Sequence, residues 1–209
     1  MGHRSLTLPD GAQRIAVLIM QTGLLLLLLY TLVTVRLGLA LGVAFGLGVT
    51  LLPALVRHEY GYSMDPLLAL WVTLSISIHT FGSLGPYDWF SWYDSVAHTV
   101  SAVVIASIGY VILRTFEEHS PEIDVPGEFR AVFIVVFVLA AGVFWELLEF
   151  ASGALARSLG AEAPLAVKGV DDIVTDLVFN TLGALIVAAF GTGYLGGLVS
   201  FARRRLLED

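Results

Sequence analysis

Six long apolar runs constrain this chain more than any other feature of its sequence. Each is about 20 residues or longer, the length at which an α-helix rising 1.5 Å per residue crosses about 30 Å of hydrocarbon. The runs occupy residues 15–35, 37–56, 66–84, 94–113, 131–154 and 172–199. Only 14% of the residues are charged, against roughly 25% in a soluble domain. The sequence therefore predicts an all-α, polytopic transmembrane helical bundle of six spans, in which residues 1–209 form a single membrane domain.

The basic residues orient this bundle. Six spans put both termini on one side of the membrane, together with eight of the eleven Lys and Arg residues, and leave Arg36, Arg157 and Lys168 on the other side. Because cytoplasmic loops carry an excess of Lys and Arg, we expect both termini in the cytoplasm of a prokaryotic cell. The expected location is the plasma membrane, which the chain crosses several times.

Composition excludes several kinds of chemistry and one kind of partner. The chain has no Cys, which excludes a disulfide framework, a thiolate metal site and a cysteine nucleophile. It has 18 acidic residues against 11 basic ones, and this balance argues against nucleic acid as a partner. The expected partner is the lipid bilayer.

Three further patterns are typical of packing and of membrane boundaries. Gly38, Gly42 and Gly46 stand four residues apart, a spacing that lets a second helix approach closely. The segment Glu117–Glu128 contains five acids and two prolines, so we expect a hydrated cytoplasmic loop there. An aromatic belt at the outer interface is expected from Tyr87, Trp89, Trp92 and Tyr93.

Ionisable side chains within the apolar runs are the strongest functional signal, because they are costly to bury in a membrane. In the fourth run Asp94 and His98 are four residues apart and therefore share one helix face. The other polar residues of this kind are His79 in the third run, Glu146 and Glu149 in the fifth, and Asp172, Asp176 and Asn180 in the sixth. With alternating helix directions all of them fall in the outer third of the membrane, which predicts one shared cluster.

The charge of such a cluster needs compensation, because five carboxylates with one or two imidazoles cannot all be ionised in a low-dielectric pocket. A divalent cation satisfies this need, as do protonated carboxyls bonded to Asn180 and Thr175, or a wet vestibule open to the outer surface. Carboxylate and imidazole ligands suit magnesium, manganese, iron or zinc. The candidate metal ligands are Asp94, His98, Glu146, Glu149, Asp172 and Asp176. His79 and Asn180 are expected to support them, although His79 alone also fits a core histidine and Glu149 a side chain that extends towards water.

From about Asp88 to Gly191, the sequence around these residues resembles two known families. The strings YDSVAH (Tyr93–His98) and FWELLEF (Phe144–Phe150) resemble the YjdF-like family of uncharacterised prokaryotic membrane proteins. The string DLVFNTLG, which begins at Asp176, is similar to the last helix of the VanZ-like family, but Glu149 stands where that family has Gln. The YjdF-like resemblance is therefore closer. It implies a multi-spanning helical protein with polar residues at one face, and it brings no established reaction.

Three functions fit these observations. The first is a metal-dependent membrane hydrolase of a lipid-like substrate, with catalytic residues Asp94, His98, Glu146 and Asp176. The second is a proton- or cation-coupled transporter, and the third is a structural membrane subunit without catalysis. A transporter needs polar groups in the inner half of the membrane as well. The sequence offers only small ones there, namely Thr73, Ser75, Ser77, Ser101 and Ser107, so a pocket open on one side is the preferred interpretation.

Overall fold

A computed structural model describes residues 9–120, 122–159, 169–190, 195 and 199–204 of the chain. Its helices are α1 (Asp10–Val33), α2 (Leu37–Thr50), α3 (Leu52–Tyr60), α4 (Pro66–Gly82), α5 (Pro86–Trp89), α6 (Tyr93–His119), α7 (Gly127–Leu159) and α8 (Val170–Phe190). The described residues contain no β-strand. The predicted all-α class is confirmed.

Apolar helices long enough to cross a bilayer account for most of the predicted spans. α1, α6, α7 and α8 each meet this condition. α2 and α3 meet it only together and are bent by 42° against each other, as in a broken span or a re-entrant pair. The bend follows from Pro53 in the first turn of α3, because proline has no N–H to continue the hydrogen bonding of α2. α4 is apolar but has only 17 residues, which reach about 25 Å. The polytopic helical bundle is confirmed.

Several helix ends differ from the predicted ones. α6 continues to His119, beyond the expected end at residue 113, and α3 continues to Tyr60. There Gly61, with a φ of 66°, ends the helix in the left-handed conformation that favours glycine. α8 is described as far as Phe190, and most of the predicted continuation to residue 199 lies outside the described residues.

α6 lies at the centre of the bundle, in contact with α4, α7 and α8. α1, α2 and α4 contact one another and form a second group of three helices, which meets the first through α4 and α6. The buried side of α6 is built from small residues: Ala97, Ala102 and Ala106 have no solvent exposure. Small side chains let the neighbouring helices approach closely, as is typical of helix packing in membranes.

Two glycines show where helices approach each other closely. A Cβ added at Gly183 of α8 would lie 2.6 Å from both the Cβ of Ala102 and the carbonyl oxygen of Thr99 in α6. In the glycine series of α2, a Cβ at Gly46 would lie 2.9 Å from Ile76, whereas a Cβ at Gly42 would meet no heavy atom of the described structure within 4 Å. The predicted close packing therefore applies to Gly46 and not to Gly42.

The expectation that the segment Glu117–Glu128 is a hydrated loop is wrong for its first residue, Glu117. Glu117 lies in the last turns of α6, and only 5% of its side chain is exposed. Its carboxylate accepts hydrogen bonds from Arg114 at 2.9 Å, from Arg130 of α7 at 3.1 Å and from the backbone N–H of Val125 at 3.1 Å. Two guanidinium groups compensate the buried charge and join α6 to α7.

Candidate functional site

Three of the predicted site residues meet at one end of the bundle. His98 lies in the second turn of α6, and Asp176 lies in the second turn of α8. The Nε2 atom of His98 is 3.5 Å from an Oδ1 atom of Asp94 and 3.5 Å from an Oδ1 atom of Asp176. The side chains of His98 and Asp176 are almost completely buried, and that of Asp94 is 23% exposed. The i,i+4 pair within α6 thus acquires a third member from α8.

The geometry of these three side chains fits a bound metal ion. One donor atom of each, taken from Asp94, His98 and Asp176, lies within 4.8 Å of the other two. Two ligands that bind the same ion at about 2.0–2.2 Å are at most about 4.4 Å apart. Both contacts to His98 are inside this limit. The donor atoms of Asp94 and Asp176 are at most 4.8 Å apart, so this separation exceeds the limit by no more than a few tenths of an ångström.

Glu146 contributes a buried carboxylate from α7. The residue is only 6% exposed, and neither of its carboxylate oxygens has a hydrogen-bond partner in the part of the chain that the structure describes. It interacts electrostatically with Asp172 and Asp94. A buried carboxylate without a partner is costly, and this cost is the strongest sign that a further group belongs here.

The two remaining candidate ligands lie around this set. Glu149 is half-buried and accepts a hydrogen bond from the indole N–H of Trp145 at 3.0 Å. It interacts electrostatically with Glu146. Asp172 is half-exposed and interacts electrostatically with Asp176. The closest donor set is therefore Asp94, His98 and Asp176, with the other acids arranged about it.

A cleft of about 320 Å³ opens next to Asp94 and Asp176. Its lining residues are Tyr87, Ser91, Asp94, Ser95, Asp171, Asp172, Thr175 and Asp176. The lining thus combines four carboxylates with four hydroxyl groups and, among the described residues, contains neither Lys nor Arg. Such a surface attracts cations and groups that donate hydrogen bonds.

Asn180 and Thr175 were both expected to hydrogen-bond the acids, but in the structure the two residues have other partners. Asn180 is buried, and its side chain is a hydrogen-bond partner of His98. Thr175 is exposed, and its hydroxyl group donates to the carbonyl oxygen of Asp171 at 2.8 Å. Thr175 therefore does not give the acids the hydrogen bond that the sequence suggested, because its hydroxyl group donates to the carbonyl one turn earlier in its own helix.

His79 lies beside the three-residue cluster and not within it. Its ring is 5.5 Å from that of His98, edge to face. The Nδ1 atom of His79 is 2.6 Å from the hydroxyl group of Tyr87, and its Nε2 atom is 2.9 Å from the hydroxyl group of Ser101. The interpretation of His79 as a core histidine bonded to its neighbours describes these contacts.

Tyr87 is the site residue that sequence reasoning missed. An aromatic belt was expected from it and from Tyr93, but both phenols turn inward, Tyr87 to His79 and Tyr93 to the carbonyl oxygen of Ile78 at 2.9 Å. Burial raises the pKa of the Tyr87 phenol, and the neighbouring Asp94 carboxylate raises it further, so the phenol keeps its proton. An aromatic residue before a span gives the same sequence signal whether it faces lipid or protein.

Comparison with known proteins agrees with the membrane architecture. Residues 16–197 match the family described as "Predicted membrane protein (DUF2238)". This match covers the first apolar run, all of the candidate site and the described part of α8.

One curated relative is an uncharacterized protein of Thermotoga maritima, which is 29% identical over 122 residues. The match covers 57% of this chain and 58% of that protein. No solved structure matches the chain.

Proposed function

We propose, from the premise that this chain belongs to the DUF2238 family of predicted membrane proteins, that it binds a divalent cation at one end of its transmembrane bundle. With the ion bound, these residues would hydrolyse a lipid-like substrate that enters the cleft from the membrane surface. The observation that carries this proposal is the cluster of Asp94, His98 and Asp176, whose donor atoms lie within 4.8 Å of one another.

The negative charge of the site supports a bound cation. Asp176 interacts electrostatically with Asp94, Asp172 and Glu146, and no Lys or Arg lines the described part of the cleft. The N-termini of α6 and α8 offset some of this charge, each by the equivalent of about half a positive charge. A divalent cation offsets much more, and a water molecule bound to it would give the buried oxygens of Glu146 a partner.

The residues divide naturally into roles for hydrolysis. A divalent ion supplies Lewis acidity, which lowers the pKa of water and makes it a nucleophile near neutral pH. Asp94, His98 and Asp176 hold the ion. Glu146 is the group that accepts a proton, because its carboxylate has no hydrogen bond to another described residue. Asp172 and Glu149 add negative charge around this set and strengthen its hold on the cation.

Exposed aromatic side chains beside the cleft support a lipid-like substrate. Trp89 is 68% exposed and Trp92 is 58% exposed, and indole rings favour the depth of the lipid headgroups. Trp92 follows directly after Ser91, which lines the cleft, and Trp89 lies two residues before it. A lipid at this depth would present its ester or phosphate linkage to the cleft, beside the residues that would hold the ion.

The orientation and the finer family relationship belong to the same proposal. We assign the chain to the YjdF-like group of prokaryotic plasma-membrane proteins, with both termini in the cytoplasm and the cleft at the outer leaflet. Arg114 and Arg130 support this orientation, because they meet at the end of α6 that lies opposite the cleft, where cytoplasmic basic residues are expected.

The first test is the metal content of detergent-purified protein, measured by mass spectrometry. We expect close to one ion per chain, and its loss when both His98 and Glu146 are replaced by Ala. The matched control replaces His58 and Glu59 by Ala, because these two residues form an exposed His–Glu pair 3.1 Å apart on α3. Metal that is absent from the native protein, or equally present in the site variant, would rule out the site.

The second test is hydrolysis of a panel of lipid phosphates and esters in mixed micelles. We expect activity that requires a divalent ion and disappears in the His98→Ala variant. Activity that survives this substitution would show that the reaction does not depend on the ion, even if metal binding had been measured.

A further inference from the structure

Each of the helices α6, α7 and α8 contributes two residues around the candidate site that are four positions apart and therefore share a helix face. The pairs are Asp94 and His98, Gly142 and Glu146, and Asp176 and Asn180. α7 runs opposite to α6, because Arg130 near its start meets Glu117 near the end of α6. α8 runs parallel to α6, because the second turns of these two helices meet. The three carboxylates therefore form one layer at the cleft end, and His98, Gly142 and Asn180 form a second layer beneath it.

The second layer is closed from below by apolar side chains. One further turn along the helices lie Ala102 of α6, Val138 of α7 and Ala184 of α8, and none of them is more than 1% exposed. Asn180 is itself only 6% exposed. A buried amide without hydrogen bonds is costly, so the partners of Asn180 must lie among its immediate neighbours.

The amide group of Asn180 lies between α6 and α7. A Cβ added at Gly142 of α7 would be 2.8 Å from Nδ2 of Asn180 and 3.8 Å from its Cγ. α7 thus has room for the amide nitrogen because residue 142 has no side chain. The side chain of Asn180 is also a hydrogen-bond partner of His98 in α6. Since the amide nitrogen faces α7, the amide oxygen is the atom that remains for His98.

The ring of His98 shows a matching division between its two nitrogens. Nε2 is the nitrogen that lies 3.5 Å from the carboxylates of Asp94 and Asp176. A ring nitrogen that binds a cation carries no proton, so the proton of the neutral imidazole is then on Nδ1. In metal sites this second N–H almost always donates to an oxygen acceptor, which fixes the tautomer and the orientation of the ring.

We infer that Asn180 is a positioning residue of the cation site: its amide oxygen accepts the Nδ1–H of His98, so that Nε2 faces Asp94 and Asp176 without a proton. Gly142 takes part in this arrangement, because it leaves the space that the amide occupies. The inference rests on the proposed function, since it states how the ring of His98 is held ready for a divalent ion. It adds a requirement to the three ligands, namely an acceptor one turn after Asp176 in α8.

The first test is the affinity of the detergent-purified full chain for Mn²⁺, measured by electron paramagnetic resonance of the free ion. Asn180→Leu keeps the branched shape of the side chain and removes the acceptor. We expect this variant to bind Mn²⁺ at least about tenfold more weakly than the native chain, because loss of an outer-shell partner costs about 10–100-fold in metal affinity. An unchanged affinity would overturn the inference.

The matched control is Thr181→Val, which removes a hydrogen-bonding group from the next residue of the same helix. The hydroxyl group of Thr181 donates to the carbonyl oxygen of Leu177 at 2.8 Å, away from His98. We expect this variant to keep the native affinity for Mn²⁺, and circular dichroism to show that both variants are folded. An equal loss of affinity in Thr181→Val would trace the effect to α8 in general and overturn the inference.

The space at Gly142 allows a second pair of variants that leaves Asn180 in place. Gly142→Ala puts a methyl group 2.8 Å from Nδ2 of Asn180, so the amide must move and Mn²⁺ should bind more weakly. Gly127→Ala is the control on the same helix, because no heavy atom of the described structure lies within 4 Å of its added methyl group. Native affinity in Gly142→Ala, or an equal loss in Gly127→Ala, would contradict the role given to Gly142.

The decisive readout is the position of the ring proton, which a merely structural role of Asn180 would not fix. In Zn²⁺-loaded protein with ¹⁵N-labelled histidine, nuclear magnetic resonance shows which ring nitrogen carries the proton, and His98→Ala identifies the signals of His98 by their loss. We expect the proton on Nδ1 and none on Nε2. A proton on Nε2 in the Zn²⁺-loaded chain would overturn the inference. This measurement uses the native side chain at position 180, so it decides even where Asn180→Leu fails to fold.

The same experiments separate this inference from the proposed function. A native chain that binds neither Mn²⁺ nor Zn²⁺ would contradict the cation site itself, and the role of Asn180 with it. A native chain that binds Mn²⁺ with an affinity that Asn180→Leu leaves unchanged would contradict the role of Asn180 alone.

Discussion

The Asp176 carboxylate of α8 lies 3.5 Å from Nε2 of His98 in α6. This contact exists because α6 and α8 meet backbone to backbone at Gly183, two turns after Asp176. Asp94 completes the cluster from within α6. The packing of two helices therefore converts a short sequence pattern into a three-residue donor set.

The first prediction concerns Asp176. Replacing it by Asn keeps the side-chain volume and removes one carboxylate ligand, so we expect the affinity for Mn²⁺ to fall at least about tenfold, since even outer-shell partners of metal ligands are worth about 10–100-fold. Electron paramagnetic resonance of free Mn²⁺ in detergent solution measures this affinity. Asp88→Asn is the control, because Asp88 is exposed, carries the same charge and precedes α6. An equal loss in both variants would point to general surface charge as the cause.

The second prediction concerns the close approach of α6 and α8. Gly183→Ala places a methyl group 2.6 Å from Ala102 and from the carbonyl oxygen of Thr99, so the helices must separate. We expect a loss of about 1–3 kcal/mol in the free energy of unfolding and weaker binding of Mn²⁺. Circular dichroism in detergent during titration with denaturant measures the stability.

Gly42→Ala is the matched control for that variant. No heavy atom of the described structure lies within 4 Å of the added methyl group, and alanine favours a helix over glycine by about 1 kcal/mol. We expect unchanged or slightly higher stability. Destabilisation of the same size in both variants would show that the loss of stability does not come from the close approach of α6 and α8 at Gly183.

The third prediction concerns the buried ion pairs at the opposite end of the bundle. Glu117→Gln leaves Arg114 and Arg130 without their shared carboxylate. Loss of one partner from a fully buried pair costs about 3–5 kcal/mol, and we expect a smaller cost here because the two arginine side chains are 29% and 24% exposed. We expect a fall in the unfolding midpoint. Glu118→Gln should cost less than about 1 kcal/mol, because this side chain is 31% exposed. A reversed order of the two variants would contradict the clustering of charge on Glu117.

The fourth prediction tests the orientation. The chain has no Cys, so a single introduced thiol reports on one position alone. Ser91→Cys lies at the cleft, and Asp124→Cys lies in the exposed connection between α6 and α7. In intact cells we expect a membrane-impermeant maleimide to label the first variant and to label the second only after permeabilisation. The opposite pattern would place the termini outside.

Much of the fold follows from local sequence properties. The apolar runs predicted the membrane helices, because hydropathy over about 20 residues depends only on neighbours in the chain. The bend between α2 and α3 was not expected, although Pro53 marks it. The Asp94–His98 contact also follows from spacing alone, since residues four apart in a helix are adjacent.

Contacts between side chains of different helices could not be predicted from spacing along the chain. The shared depth of the acids predicted a cluster, but it did not distinguish Asp176, which contacts His98, from Asp172, which is half-exposed at the cleft. Tyr87 and Glu117 were assigned to a belt and to a loop, because an aromatic residue or an acid at a membrane boundary has the same pattern in either environment. Their partners His79 and Arg130 lie 8 and 13 residues away, in the neighbouring helices α4 and α7.

The sequence by itself thus determined that the chain forms a helical membrane bundle with carboxylates and imidazoles at one end. Both properties depend on residue type and on spacing along a single helix. Only the tertiary structure decided which of these groups meet, and that His79 links Tyr87 to Ser101. The physical reason is that contacts between helices depend on how closely the backbones approach, and small residues such as Gly183 and Ala102 set that distance.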